Sequence, residues 1–530
     1  MISKLAVKKF TERKLRDSRK AKRWSTKELD AAIERLGARF TTEPKQHQKA
    51  CFLLGVLHPG YVLLLDPGLG KTKITLDLFV YHKRQAKKRG EKYRGLVLVP
   101  YGSNVPQWVR EAKKHAPNLR VLGVTGDREQ RQEVLDSDAD LVVCTYMGWL
   151  SLSCERVKVR GEKKKTKLVP TKYTDKLCKR FQFAVYDECS FISNRQSTTF
   201  KVLRRMLKTT THRYALTGTP FGLYPEDLWA QFFLVDGGET LGKTLGLYRA
   251  VFFKEKKRFW GSGFDYEFDE SKRKLLNRVL RHGSIRYAER ECFDLPPIVE
   301  MKLPVSWPEE AWAYYEKLLD RLQHAQEKED RKKVENVFVR MRQLASGFIS
   351  VKGPQGETID VHFDKNPKLD TLVEKLKELP AGRKAIVYNE YKKSGAKICA
   401  RLKQEKIRHI RLFSGTTKKV KDTLEQRFTD EPKLQVLVTS QSGAFGLNLQ
   451  AANYLWIYES PVDPKTRKQL MKRAHRQGQT RRVFVTDIYV KNSIEEKILK
   501  YVAKGESLFQ AIVEGRVEVD GFRVPRKKRK

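Results

Sequence analysis

Short apolar runs alternate with amphipathic stretches along most of this chain. Val62–Leu65, Gly95–Pro100, Val121–Val124 and Asp140–Tyr146 read as buried strands, as does Arg213–Pro220 up to its polar end. Phe183–Ser190 is a further strand that closes on Asp187-Glu188. Helical spacing begins at Lys71 and returns over Trp108–His115. Strands alternating with helices predict a parallel α/β sheet with ligands at the C-terminal ends of its strands. The rhythm restarts near residue 365, where Lys384–Tyr391, Ile407–Gly415, Leu434–Ser440 and Tyr454–Ser460 are the strands of a second unit. The expected fold class is α/β: two parallel-sheet lobes with helical insertions between them.

The same pattern sets boundaries. Ser25-Thr26-Lys27-Glu28 has the form of a capping box and opens a helix that ends near Gly37. Residues 1–41 read as a basic arm and helix, 42–235 as the first lobe and 236–360 as a helical protrusion and linker region. Residues 361–492 form the second lobe, 493–515 a separate segment after it and 516–530 a basic tail. Ser306–Leu322 is an amphipathic helix whose aromatic residues are expected to pack. Leu295-Pro296-Pro297 and Gly353-Pro354 mark linkers. Residues 155–180 interrupt the first lobe with eleven Lys/Arg against three acids, which predicts an inserted basic loop or hairpin.

Charge narrows the partner. Lys and Arg number 108 and Asp and Glu 63, a net charge of +45. Such a field attracts a polyanion and makes binding salt-dependent, so nucleic acid is the expected partner. A long basic helix with a strong apolar face, which a membrane surface would need, is lacking. The seven cysteines lack disulfide or zinc spacing, and Cys51, Cys144 and Cys189 read as small core residues. No apolar run approaches the ~18–20 residues of a membrane span. The start, MISKLAVKKF, lacks a signal-peptide core. A soluble, intracellular protein is expected, cytoplasmic in a bacterial or phage setting and nuclear in a eukaryotic one. The tail VPRKKRK reads either as an import run or as another phosphate-binding run.

The candidate chemistry begins at YVLLLDPGLGKTKITLDL, Tyr61–Leu78. A Gly-rich turn between a buried strand and a helix start is a phosphate site, because backbone N–H groups and the helix dipole converge on one anion. Gly68 and Gly70 let the backbone curl past Leu69, Lys71 can reach the β- and γ-phosphates, and the Thr72 hydroxyl can hold Mg2+. A full P-loop asks for Gly where Leu65 stands, so the match is to the shorter GxGKT core. Gln48, one element earlier, can read an adenine edge or be a surface glutamine. Asp187 can hold Mg2+, and Glu188 can orient and polarise an attacking water. Thr217 and Thr219, around Gly218, can sense a γ-phosphate. In the second unit, QLMKRAHRQGQ puts Arg473 and Arg476 three apart on one helix face, as γ-phosphate charge stabilisation would require.

The order of these motifs resembles that of the superfamily-two helicases, and within them the Swi/Snf-type double-stranded-DNA translocases. The resemblance covers residues 42–515 and rests on Gln48, GLGKT at 68–72, DECS at 187–190, LTGTP at 216–220, SGTT at 414–417, GAFGLNL at 443–449 and QLMKRAHRQGQ at 469–479. It implies two RecA-like lobes with ATP and Mg2+ in the cleft between them. Lys71 and Thr72 would bind phosphate and metal, and Asp187 and Glu188 would be the metal and water carboxylates. Arg473 and Arg476 would be arginine fingers, with Thr217, Gly218, Thr219 and Gly446 coupling hydrolysis to the DNA track. Ser493–Gly515 looks like the family's closing helices, which brace the lobes. The box reads DECS rather than DEAH, which puts the coupling after Glu188 in doubt. Asp227–Phe253 looks like the compact helicases of bacteriophages and mobile elements. Three activities stay open at this point: a duplex-DNA translocase, a strand-separating DNA or RNA helicase, and a nucleotide-gated DNA clamp.

Overall fold

The computed structural model describes residues 21–158, 166–218, 225–257, 264–328, 330–352, 355, 357–363, 365–413, 418–440, 449–513 and 517. The chain divides into two compact units, 1–256 with 264–293 and 257–263 with 294–530. Each is built on one large sheet whose strand pairings are all parallel. The expected α/β class with two parallel-sheet lobes is what the chain adopts.

In the first unit seven strands lie in the order Ser284–Tyr287, Gly60–Leu65, His212–Thr217, Phe183–Asp187, Gly95–Val99, Leu141–Thr145, Val121–Gly123. Helices cover both faces, so successive residues of a strand enter two different apolar layers. Val62 and Leu64 pack in one layer, with Leu96, Leu98 and Ala184. Tyr61, Leu63 and Leu65 pack in the other, with Val97, Val99 and Val185. This double burial is why the strands read as unbroken apolar runs. The predicted capping box is present: Ser25 N–H donates to Glu28 Oε2 at 2.7 Å and Glu28 N–H to Ser25 Oγ at 3.3 Å. Its helix, Thr26–Arg35, runs out before Gly37 at φ 62°. The basic insertion opens with an antiparallel hairpin, Cys154–Lys158 against Thr166–Pro170.

In the second unit six strands lie in the order Ile298–Val305, Val483–Val490, Tyr454–Ile457, Ala385–Tyr388, Val436–Thr439, His409–Leu412. Two charge clusters lock helices onto this framework. Arg467 forks onto Asp487 at 2.6 and 2.7 Å and reaches Glu300 at 3.0 Å, tying helix Pro464–Ala474 to two strands. Lys368 Nζ meets Glu495 Oε1 at 2.5 Å, joining helix Pro367–Lys377 to helix Ile494–Ala503.

The span 236–360, read as a helical protrusion and linker, carries helices Leu245–Phe252, Arg273–Leu280, Glu309–Glu327 and Arg331–Ala345. It also contributes an edge strand to each sheet, Ser284–Tyr287 to the first and Ile298–Val305 to the second. Both carry polar or charged positions between their apolar residues, as an edge position allows, and that hid them from an apolar-run criterion. Among the described residues, no helix is long and apolar enough to cross a membrane.

Behind the first sheet His82 and His212 stack with ring centres 3.7 Å apart. His82 Nε2 bonds the Tyr214 hydroxyl at 3.0 Å, and His212 Nδ1 the Tyr93 hydroxyl at 2.8 Å. Burial, then the facing His212, holds His82 down at about 2. Burial, then Arg213, holds His212 at about 4. Both rings are neutral in the folded unit at neutral pH. A depressed histidine contributes stability that is present above its unfolded value and is lost as the unfolded chain takes up protons the folded chain refuses. The histidine pair's contribution to the first unit's stability is therefore expected to fall as pH drops from 6.5 toward about 4, against an opposite contribution below pH 6 from Asp77 and Asp187, whose carboxyls are both raised to about 6. Hydrogen exchange of strand His212–Thr217, corrected for intrinsic rate, checks this, and His212→Phe should flatten the pH slope.

Candidate functional site

Three adjacent strands of the first sheet, Gly60–Leu65, His212–Thr217 and Phe183–Asp187, bring their C-terminal ends together. The register sets Leu64 beside Thr217 and Leu216 beside Asp187. The Gly-rich turn, the Thr217-Gly218 end and the Asp187-Glu188 pair therefore share one sheet edge. Thr219 and Gly446 lie outside the described residues, as do SGTT at 414–417 and residues 443–448 of the GAFGLNL turn.

The turn is fitted between its neighbours. Gly68 and Gly70 have φ of 91° and 77°, the left-handed region that only glycine enters without strain. Gly70 caps helix Lys71–Lys88. A Cβ on Gly70 would sit 2.2 Å from Gln48 Nε2. On the other side, a Cβ on Gly218 would meet Pro67 Cδ at 2.9 Å and Leu65 O at 3.1 Å. Leu69 is buried, and its carbonyl accepts from Gln48 Nε2 at 3.3 Å and from His47 Nε2 at 3.0 Å. Burial holds His47 below its ordinary value, so the ring is neutral with its proton on Nε2. Gln48 thus stands beside the turn with both ends of its amide engaged, since Oε1 also accepts from Lys45 N–H at 2.9 Å. Lys71 Nζ donates to Leu65 O at 2.9 Å, which holds the ammonium at the strand end.

The acid pair is half-buried and held. Trp108 Nε1 donates to Asp187 Oδ2 at 2.8 Å, Glu188 N–H to Asp187 Oδ1 at 3.0 Å, and the Tyr146 hydroxyl to Asp187 O at 2.8 Å. Burial, then the adjacent Glu188 carboxylate, pushes the Asp187 carboxyl up to about 6, against the pull of Trp108 and Lys71. Glu188 sits at φ 46° and ψ 56°, a left-handed conformation that costs a non-glycine residue roughly 1–3 kcal/mol. Its Oε2 is buried with no hydrogen-bond partner among the described residues. A buried carboxylate oxygen without a donor is a place for a water, and the Asp187 carboxylate with the Thr72 hydroxyl is the all-oxygen set that a hard cation takes. These residues fit Mg2+ and a phosphate group.

Past Glu188, the DECS box continues into the short helical turn Cys189–Phe191, and Cys189 Sγ donates to Gln231 Oε1 at 3.3 Å. The residues after the acid pair are thus packed against helix Asp227–Asp236. His47, Trp108 and Tyr146 were missed as site residues. Only His47 carried a sequence signal, its place beside Gln48; the other two act through tertiary contacts.

In the second unit one expectation is corrected. Helix Pro464–Ala474 carries Arg473 but stops before Arg476, so the two arginines do not share a helix face. The cause is His475, which caps the helix in an extended conformation with Nε2 bonded to Pro296 O at 2.7 Å. Gln479 then fixes the following turn, donating to the carbonyls of Gln450, Ala452 and Ala474 at 3.0–3.1 Å.

Comparison with known proteins gives two family matches, the SNF2-related domain over residues 42–347 and the helicase conserved C-terminal domain over 367–478. The chain is 26% identical over 478 residues to the ISWI chromatin-remodeling complex ATPase ISW1 of Saccharomyces cerevisiae, covering 86% of this chain and 38% of that protein. It is 25% identical over 441 residues to the uncharacterized ATP-dependent helicase MG018 of Mycoplasma genitalium, covering 83% of this chain and 39% of that one. The chain thus spans about two fifths of the length of the curated relatives it matches. Among solved structures, the Sulfolobus solfataricus SWI2/SNF2 ATPase core in complex with dsDNA aligns at 22% identity and a TM-score of 0.38, over 91% of this chain and 97% of that chain.

The close approach at Gly218 can be tested without any ligand. Its neighbours are a proline ring and a backbone carbonyl, neither able to swing away. Gly218→Ala is expected to cost about 1–3 kcal/mol, read from the denaturant midpoint of the first unit. Gly102→Ala, where a Cβ would meet nothing within 4 Å, should stay within about 0.5 kcal/mol of the parent.

Proposed function

Because the chain belongs to the SNF2-related family, we propose that it hydrolyses ATP and uses the cycle to move along double-stranded DNA. The observation that carries this reading is the meeting of the Gly68–Thr72 turn with the Asp187-Glu188 pair at one sheet edge, with Glu188 Oε2 buried and awaiting a donor. The curated names of two relatives, a chromatin-remodeling ATPase and an ATP-dependent helicase, support ATP as the fuel. The net charge of +45 supports a nucleic-acid track.

In this reading the N–H groups of the turn and the Lys71 ammonium hold the β- and γ-phosphates. Gln48 leaves its long contact with Leu69 O to meet the adenine edge, or stays as the brace of the turn. Thr72 and Asp187 hold Mg2+, which when bound neutralises phosphate charge. Glu188 accepts a hydrogen bond from the attacking water and orients it along the line of the leaving oxygen. Asp187, with its carboxyl at about 6, is mostly ionised at neutral pH and available as a ligand. Arg473 and Arg476 supply the positive charge for the transferring phosphoryl group. Thr217, Gly218, Thr219 and Gly446 pass the state of the γ-phosphate to the DNA contacts. Those contacts go mainly to backbone phosphates, so sequence specificity is low.

The test is phosphate release from ATP with no nucleic acid, blunt duplex DNA, single-stranded DNA or RNA. Strong stimulation by blunt duplex is expected. Stimulation confined to single strands or RNA would replace the translocase with a strand-separating helicase. Lys71→Ala and Glu188→Gln are each expected to reduce turnover by about 100-fold or more while the protein still retards duplex DNA. Arg476→Ala should keep ATP affinity and lower turnover, and unchanged turnover would remove it from the charge-stabilising role.

A further inference from the structure

Helix Gln46–Leu57 opens with four polar residues that bond in two directions. His47 and Gln48 go to the Leu69 carbonyl of the Gly-rich turn. Gln46 and Lys49, three apart and so on one face, go elsewhere. Gln46 Nε2 donates to Trp24 O at 2.8 Å, and Lys49 Nζ to Asp30 Oδ1 at 2.6 Å. Lys49 also meets Glu43 at 2.5 Å, and its side chain is buried, where an ammonium needs such carboxylates. Trp24 and Asp30 belong to residues 21–41, which precede the span matched to the SNF2-related domain. This segment is fastened along its length. Lys22 Nζ meets Glu291 Oε1 at 2.9 Å and lies 4.6 Å from the centre of the Tyr287 ring. Tyr287 packs on the His47 ring, with centres 5.8 Å apart. Leu29 and Ile33 of helix Thr26–Arg35 are buried in the layer that holds Ala50 and Leu54. Gly37 O accepts from Arg84 Nη1 at 3.1 Å, and Phe40 meets Phe52 edge-on with ring centres 5.0 Å apart.

We propose that residues 21–41 are a positioning strap for base recognition: through Gln46 and the Lys49–Asp30 pair they fix the roll of helix Gln46–Leu57, and so set the Gln48 amide against the base of a bound nucleotide. This rests on the reading of Gly68–Thr72 as the nucleotide site. The reason is leverage. A side-chain tip stands about 5–6 Å from a helix axis, so a roll of roughly 10° moves it by about 1 Å. That is enough to break a hydrogen bond. Strap contacts on one side of the first turn and Leu69 contacts on the other remove the roll. An amide that pairs with adenine at N6 and N7 meets a second acceptor in place of the N6 donor on guanine, so its placement decides between the two bases. The bonds of Gln46 and Lys49 go to the strap and to Glu43, not to the turn. Grip on the base is therefore separable from grip on the phosphates, and Gln46, Lys49 and Asp30 act through Gln48 as positioning residues.

The test uses the full chain and displaces N-methylanthraniloyl-ADP with ATP, GTP or inorganic tripolyphosphate, which has no base. In Gln46→Leu with Asp30→Ala, ATP affinity is expected to fall about fivefold, while GTP and tripolyphosphate stay within about twofold of the parent. In steady-state hydrolysis the change falls on KM, with kcat within about twofold. Asp30→Glu, which keeps the carboxylate, should match the parent within about twofold. Thermal midpoints of the variants establish that folding is intact. Gln46→Leu alone, at an exposed position, gives the same ATP-specific loss at about twofold if the double variant folds poorly. The strap is overturned if the folded double variant keeps the parent's preference for ATP over GTP, or if tripolyphosphate weakens as much as ATP, which would make the segment a support of the phosphate turn. A parent that binds ATP and GTP equally overturns the base role and leaves the phosphate site standing. A parent that binds none of the three overturns the nucleotide site itself, and the strap with it.

Discussion

Beside the turn at 66–70, Gly70 and Gly218 each leave no room for a Cβ, and the candidate site depends on that tightness. Gly70 meets the Gln48 amide on one side, and Gly218 meets Pro67 and the Leu65 carbonyl on the other. A phosphate-type turn works only if its N–H groups converge on one point, so it must be gripped rather than left to fluctuate. The grip comes from neighbours that are themselves fixed. Gln48 sits in the first turn of a buried helix, and Gly218 ends a strand whose register is set by Leu64 and Thr217. Both faces of that sheet are buried, so a one-residue slip would turn every side chain into the wrong layer. The precision of the site is inherited from the core.

The acid pair shows the same dependence with the opposite sign. Burying Asp187 raises its carboxyl to about 6, which disfavours the charged form that a metal ligand needs. Glu188 adds roughly 1–3 kcal/mol of backbone strain. Against these stand the hydrogen bonds from Trp108 and Glu188 N–H to the Asp187 carboxylate, of about 1.5–3 kcal/mol each when the acceptor is charged. These hydrogen bonds offset part of the cost of burial and of the adjacent Glu188 charge without cancelling it, since the carboxyl still stands at about 6. Glu188 Oε2 stays buried and unpartnered beside an Asp187 carboxylate whose two oxygens each accept a hydrogen bond.

Much of this was legible in the sequence, and the limits have physical causes. Local signals were read well: the Ser25–Glu28 capping box, the left-handed glycines of the turn, and interior strands buried on both faces, such as Gly60–Leu65 and Phe183–Asp187. Edge strands were not. Ser284–Tyr287 and Ile298–Val305 each have one open side, so polar residues interrupt their apolar positions and the segment reads as helix or linker. Trp108 and Tyr146 come from other elements to fix Asp187, and no spacing in the chain encodes that meeting. The shared helix face of Arg473 and Arg476 failed for a tertiary reason as well. His475 is drawn out of the helix by Pro296 O, a residue far off in sequence.

The loss of that helix face does not loosen the arginines. Leu449 N–H donates to Arg473 O at 3.1 Å and Gln479 N–H to Arg476 O at 2.9 Å, so the backbone at both positions is tied. Gly478, at φ 97°, turns the chain where a Cβ would meet the Gln450 amide at 2.9 Å, and the Gln479 amide spans three carbonyls from two segments. A helix would have fixed the two side chains relative to each other by its own geometry. Here the same task falls to one histidine, one glutamine and one glycine, all in the run HRQGQ. Arg473 is placed by the helix end and Arg476 by the turn that follows it. The tied backbone fixes where each arginine side chain starts, not where its guanidinium ends.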